Sequence, residues 1–200
     1  YSFGRPVIVQ SYHNTYKWIV IAGNGYNSKN GKSVLFILDP SDGTVITKIG
    51  AGAGPDNGLS APIAVDVNLD EKADFVYAGD LKGNLWKFDL TSSNLFDWDV
   101  AYRDHIGEPQ PLFIARGPQE DADEAIQPIT AKPDVMLHPK EAGYLVCFGT
   151  GRFLGDSDYS DRTIQSIYGI WDYGDRVYRI GMGWSDDDDR EYLGQINTRD

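Results

Sequence analysis

Asp66-Val67-Asn68-Leu69-Asp70-Glu71-Lys72-Ala73-Asp74 sets side-chain oxygens at the first, third, fifth and ninth positions of one short stretch. Spacing at odd positions turns such groups toward a common point, and three carboxylates with a carboxamide offer the oxygen donors that hard cations take. The implied cation is calcium, which collects about six to eight oxygen ligands. A main-chain carbonyl conventionally fills the seventh position, here Lys72, whose ammonium is expected to point outward. The candidate ligands are therefore Asp66, Asn68, Asp70, the carbonyl of Lys72, and Asp74.

The stretch is not an EF-hand. The twelfth position, which would need a bidentate Glu, is Tyr77, and residues 63–65 and 75–78 on either side read as strands rather than helices. An Asp/Asn-rich turn between strands can also serve only its own backbone through Asx-turns. The fourth oxygen and the paired strands favour calcium over that reading. Glu71 stands at the sixth position, where a sharp bend with positive φ favours Gly, and it is expected to weaken or distort the site without abolishing it.

Other spacings offer less. Gly50-Ala51-Gly52-Ala53-Gly54 follows a strand like a phosphate loop, but Pro55, Gly58 and Pro62 forbid the helix whose N-terminus would hold phosphate. His13, His105 and His138 lack metal-ligand spacing. Asp156, Asp158 and Asp161 are spaced poorly for a second cation and read as a polar loop. The single cysteine, Cys147, lies in the apolar run Tyr144-Leu145-Val146-Cys147-Phe148 and is expected to be a small buried hydrophobe. No nucleophile elbow is present, so the chain is expected not to be an enzyme.

The elements that must hold the loop read as short strands. Apolar or alternating runs closed by Gly, Asn, Asp or Pro fall at 6–9, 18–22, 34–38, 45–49, 63–67, 75–78, 85–88, 112–115, 135–137, 144–148, 166–171 and 177–180. Aromatics make up 12% of the 200 residues, with 22 Gly and 10 Pro, a balance that favours strands and tight turns. At 120–126 the pattern permits one helical turn at most.

A phrase recurs in which a strand ends on Asp and turns, at Asp39, Asp89 and Asp172. Units of about 40 to 50 residues built this way read as propeller blades, four at most in this length. The expected class is all-β, part of a modified β-propeller with long loops, and 1–200 form a single domain or a fragment of one. Residues 103–133, with five prolines, read as a long surface connection, and 185–200, with Asp186-Asp187-Asp188-Asp189, as an acidic, mobile tail.

The formal charge of −12 repels phosphate backbones, so nucleic acid is not an expected partner. No run approaches the roughly 20 apolar residues of a membrane-spanning helix. The chain opens on Tyr1 without an initiator Met or a signal-peptide pattern and reads as an excised fragment whose targeting information has been cut away.

From Asn57-Gly58-Leu59-Ser60-Ala61-Pro62 through the acidic loop to Tyr77-Ala78-Gly79-Asp80-Leu81-Lys82-Gly83-Asn84-Leu85-Trp86-Lys87-Phe88-Asp89-Leu90, the sequence resembles the C-terminal propeller of PilY/PilC-type proteins. Gly23-Asn24-Gly25-Tyr26-Asn27-Ser28, Gln127-Pro128-Ile129-Thr130, Phe148-Gly149-Thr150-Gly151-Arg152-Phe153-Leu154 and Gln165-Ser166-Ile167-Tyr168-Gly169-Ile170-Trp171-Asp172 extend the match in order. These are bacterial type IV pilus biogenesis factors and tip-associated adhesins.

The resemblance implies a modified β-propeller with Ca2+ on Asp66, Asn68, Asp70, the Lys72 carbonyl and Asp74. It implies a role in pilus extension against retraction and in surface attachment. The implied partners are pilins, minor pilins and host or abiotic surfaces. The implied location is extracytoplasmic: periplasm, outer-membrane surface or pilus tip. Two departures stand out: Glu71 replaces the family's Gly, and the chain is too short for the whole propeller or the adhesive regions before it.

Two other readings remain open at this level. In an integrin-α-like propeller repeat the calcium is purely structural. In a quinoprotein dehydrogenase, whose blades share phrases such as Leu38-Asp39-Pro40-Ser41-Asp42-Gly43, many blades build a cofactor pocket that this chain cannot supply.

Overall fold

The computed structural model describes residues 4–28, 30–52, 54–117, 126–140, 142–173 and 192–197. Three antiparallel sheets follow one another along the chain. The first holds β1 (Val7–Gln10), β2 (Trp18–Gly23), β3 (Val34–Leu38) and β4 (Val45–Gly50) in sequence order. The second holds β5 (Ile63–Val65), β6 (Phe75–Gly79), β7 (Asn84–Asp89) and β8 (Asp99–Val100), with β9 (Phe113–Ile114) also pairing with β7. The third holds β10 (Asp134–Leu137), β11 (Tyr144–Gly149), β12 (Ser166–Asp172) and β13 (Tyr192–Asn197). The first strands of the sheets, β1, β5 and β10, lie side by side, the arrangement of neighbouring propeller blades.

Strand alternation explains how the sheets pack. Successive side chains point to opposite faces, so the middle sheet feeds two cores. Val76, Ala78, Trp86 and Phe88 join Ile19, Ile21, Leu35, Ile37 and Ile49 of the first sheet. Tyr77 and Leu85, one residue out of phase, join Val146, Phe148, Tyr168 and Ile170 of the third. Gly79 leaves room for Ile129, whose side chain a Cβ there would meet.

A buried carboxylate pins the first two sheets. Asp80, fully buried, accepts hydrogen bonds from Ser33 Oγ (3.2 Å), Asn57 Nδ2 (3.0 Å) and Trp86 Nε1 (2.8 Å). It also accepts Asn84 Nδ2 (3.0 Å) and the backbone N–H groups of Lys82 (2.9 Å) and Asn84 (3.0 Å). Six donors compensate the desolvated charge.

One expectation, the burial of Cys147, changes here. Cys147 is exposed, because β11 buries Val146 and Phe148 and turns Cys147 to the opposite face, opposite Asp134 and Gly169. Within 103–133, Leu112, Ala115, Gln127 and Ile129 are buried and β9 pairs into the second sheet. At the chain end, Tyr192–Asn197 pairs with β12. The strand expected at 177–180, the acidic run Asp186-Asp187-Asp188-Asp189 and most of the helical turn expected at 120–126 lie outside the described residues. Among the described residues no helix is long and apolar enough to cross a membrane.

Candidate cation loop

β5 and β6 pair in register from Ile63–Tyr77 to Val65–Phe75, and the loop between them carries every expected ligand. The Asp74 N–H donates to the Val65 carbonyl at 2.9 Å and closes the loop's base. Asn68, Leu69, Asp70 and Glu71 are exposed at its tip, whereas Asp74 is only 2% exposed.

The carboxylates shape the backbone. Asp66 Oδ1 accepts from the N–H of Leu69 (2.6 Å) and of Asp70 (3.2 Å), and its Oδ2 from that of Glu71 (2.7 Å). Asn68 Oδ1 accepts from Asp70 N–H at 2.9 Å, and Asp70 Oδ1 from Lys72 N–H at 3.1 Å. Asp74 Oδ2 accepts from Val67 N–H at 2.7 Å. The Asn68 and Asp70 contacts are Asx-turns, the Asp66 and Asp74 contacts reach further along the loop, and within this winding Leu69 takes φ 63° and Glu71 φ 71°. The sixth position thus takes the bend expected to need Gly, held by the carboxylate of the first.

Lys72 differs from expectation. Its ammonium does not point outward: Nζ lies 2.8 Å from Asp70 Oδ2 and 4.7 Å from the centre of the Tyr12 ring. A neighbouring carboxylate and an aromatic face are the two attractions available to it in an acidic loop. The lysine contact holds the Asp70 carboxyl below its usual range.

Two residues that the sequence did not single out reach the loop from the flanking sheets. Tyr12, just beyond β1, donates its hydroxyl to Asp74 Oδ1 at 2.8 Å and accepts from Asn68 Nδ2 at 2.7 Å. Burial, then the Asp74 hydrogen bond, push its phenol up to about 12. Tyr144, at the start of β11, donates to the Val67 carbonyl at 3.2 Å. Tyr12 lies 62 residues from Asp74 and Tyr144 lies 77 from Val67, so no local pattern could have announced either.

Among the described residues no three His, Cys, Asp or Glu side chains converge as they would around a bound metal. The donor chemistry nonetheless fits calcium: oxygen throughout, on a backbone that already takes the left-handed bends at 69 and 71. Asp66, Asn68, Asp70, the Lys72 carbonyl and Asp74 are the residues that could hold the ion, with Asp70 released from Lys72. The Asp156, Asp158 and Asp161 group does not gather. Asp158 accepts from Leu154 and Gly155 N–H and from Arg152, and Asp161 serves Thr163.

The three sheets and the loop they hold match a known family. Residues 1–179 fit the model of the PilY1 β-propeller domain. The chain belongs to the PilY1 β-propeller family. A type IV pilus biogenesis factor PilY1 homolog of Xylella fastidiosa is 42% identical over 188 residues, covering 88% of this chain and 12% of that protein. The type IV pilus biogenesis factor PilY1 of Pseudomonas aeruginosa is 39% identical over 187 residues, covering 86% of this chain and 16% of that protein.

The crystal structure of the Pseudomonas aeruginosa PilY1 C-terminal domain superposes with a TM-score of 0.73 at 36% identity, over 86% of this chain and 37% of that one. The PilY1 propeller domain here therefore spans a small part of its curated relatives. The integrin-α-like and quinoprotein families give way to this membership.

Proposed function

We propose that this PilY1 propeller segment is the calcium-binding module of a type IV pilus assembly and tip protein. In this reading Asp66, Asn68, Asp70, the Lys72 carbonyl and Asp74 bind Ca2+, and occupancy regulates pilus extension and retraction and supports surface attachment. Its partners are pilins and minor pilins, with host or abiotic surfaces beyond them. It works outside the cytoplasm, in the periplasm, at the outer-membrane surface or at the pilus tip, and not as an enzyme.

The observation that carries the reading is the all-oxygen donor loop whose sixth residue, Glu71, adopts φ 71°. Calcium bound there would offset two of the three carboxylate charges and lock the loop between its strands. At about a hundred times its dissociation constant a ligand stabilises the bound form by about 2.7 kcal/mol, enough to shift a marginal element. The experiment is Asp74→Ala in the full-length protein of its own host, with pilus extension and retraction followed across external calcium. Calcium dependence that survives the substitution overturns the regulatory role.

A second reading, a permanent structural calcium, draws on the burial of Asp74 and on the ties from Tyr12 and Tyr144 across three sheets. Calcium that resists mild chelation, and whose removal changes only the melting temperature, favours it.

A further inference from the structure

Building on the calcium reading above, we propose that Tyr12 of the first sheet is a positioning residue for the cation loop of the second. A phenol has one proton to give and lone pairs with which to accept. Tyr12 gives its proton to Asp74 Oδ1 and takes one from Asn68 Nδ2. The second contact decides how the Asn68 carboxamide faces. Its nitrogen is turned to Tyr12, so Oδ1, the only atom of that amide able to bind a cation, stays on the loop side, where it accepts from Asp70 N–H.

Tyr12 is itself well fixed. It sits in a turn closed by Ser11 N–H on the Lys17 carbonyl (2.8 Å), with His13 Nδ1 accepting from the N–H groups of Thr15 and Tyr16, both at 3.1 Å. The neighbouring backbone is tied to the loop as well. Gln10 bridges to Lys72, and its carbonyl accepts from Ala73 N–H at 2.9 Å. The first sheet therefore holds the main chain at the seventh position and the side chains at the third and ninth. Cation affinity of the second sheet depends on a residue of the first, in the way that outer partners orient metal ligands.

The test is calcium titration of the 200-residue chain and its Tyr12→Phe variant by calorimetry, with melting of each in chelator. Tyr12→Phe keeps the ring under Lys72 and removes only the hydroxyl. Affinity is expected to fall roughly tenfold, while the chelator melting temperature changes little. In an Asn68→Asp background the Tyr12→Phe loss is expected to shrink several-fold, because a carboxylate has no nitrogen to misdirect. Equal affinities for wild type and Tyr12→Phe overturn the inference and leave the calcium reading standing. So does a full loss in the Asn68→Asp background, or a fall in chelator stability that matches the fall in affinity. An absence of binding to wild type overturns both.

Discussion

Lys87 Nζ lies 2.7 Å from Asp172 Oδ2, an ion pair with side-chain exposures of 6% and 1% that joins the second sheet to the third. Tyr77 donates to the same oxygen at 2.7 Å, and burial first, then the Asp172 charge, drive its phenol far above the usual range. Lys87 also lies 4.0 Å from the centre of the Phe75 ring. The alternation that sends Trp86 and Phe88 into one core leaves Lys87 facing the other, where Asp172 answers its charge.

Removing one partner of such a pair strands a buried charge, at a cost of about 3–5 kcal/mol. Lys87→Met is expected to destabilise the chain by that amount in denaturant unfolding. Adding Asp172→Leu should restore part of the loss, because no charge then remains buried. A single variant within about 1 kcal/mol of wild type contradicts this account of the junction between the second and third sheets.

On the proposed calcium reading, Lys72 would compete with the cation for Asp70, which it contacts at 2.8 Å. The pair is open to solvent, which screens it, so its contribution is small. Lys72→Ala is expected to tighten calcium binding up to about fivefold, and less at high salt, where the pair is already screened. Unchanged or weaker binding by calorimetry would show that the ammonium does not hold Asp70 back.

Glu71 sits at φ 71°, a conformation that costs a residue with a Cβ about 1–2 kcal/mol. Glu71→Gly is expected to stabilise the calcium-free chain by about 1 kcal/mol and to tighten calcium binding. Loss of stability on this substitution contradicts the strain assigned to position 71.

Acid should unfold the chain through its hydrogen-bonded carboxyls. Thr44 N–H at Asp42, Lys72 at Asp70, Glu108 N–H at Asp104, Leu154 N–H at Asp158 and Thr163 at Asp161 each hold a carboxyl below its usual value. A carboxyl lowered in the folded state contributes stability above the unfolded value, near 4, and loses it as pH falls through the folded one. Melting temperature in chelator should therefore be level in this contribution above about pH 5 and drop below about pH 4. A chain that gains stability on acidification through that window refutes the assignment.

Most strands were legible because apolar runs closed by turn residues are a local signal: 34–38 matches β3 residue for residue, and others differ at their ends. Asp39 and Asp89 behave alike, as their shared phrase implies. Each accepts from the N–H two residues on, at 2.8 and 2.9 Å, and from the hydroxyl of Ser41 or Thr91. Asp172 carries the same phrase but is buried against Lys87, a cation from the neighbouring second sheet that meets this strand end.

Asp99–Val100 escaped notice because two residues show no period. Tyr192–Asn197 was hidden behind the acidic run. The five candidate ligands could be read because they are neighbours in sequence, all carried on the one loop between β5 and β6. Tyr12 and Tyr144 could not, since only the packing of three sheets brings them to it.

The most direct test is calcium titration by calorimetry of the wild-type chain beside Asp70→Ala/Asp74→Ala. Binding in the micromolar to sub-millimolar range, lost in the double variant, is the predicted result and falls within the span of known calcium sensors and extracellular sites. No binding to wild type, or binding that survives the loss of both carboxylates, would contradict the assignment of this loop as the cation site.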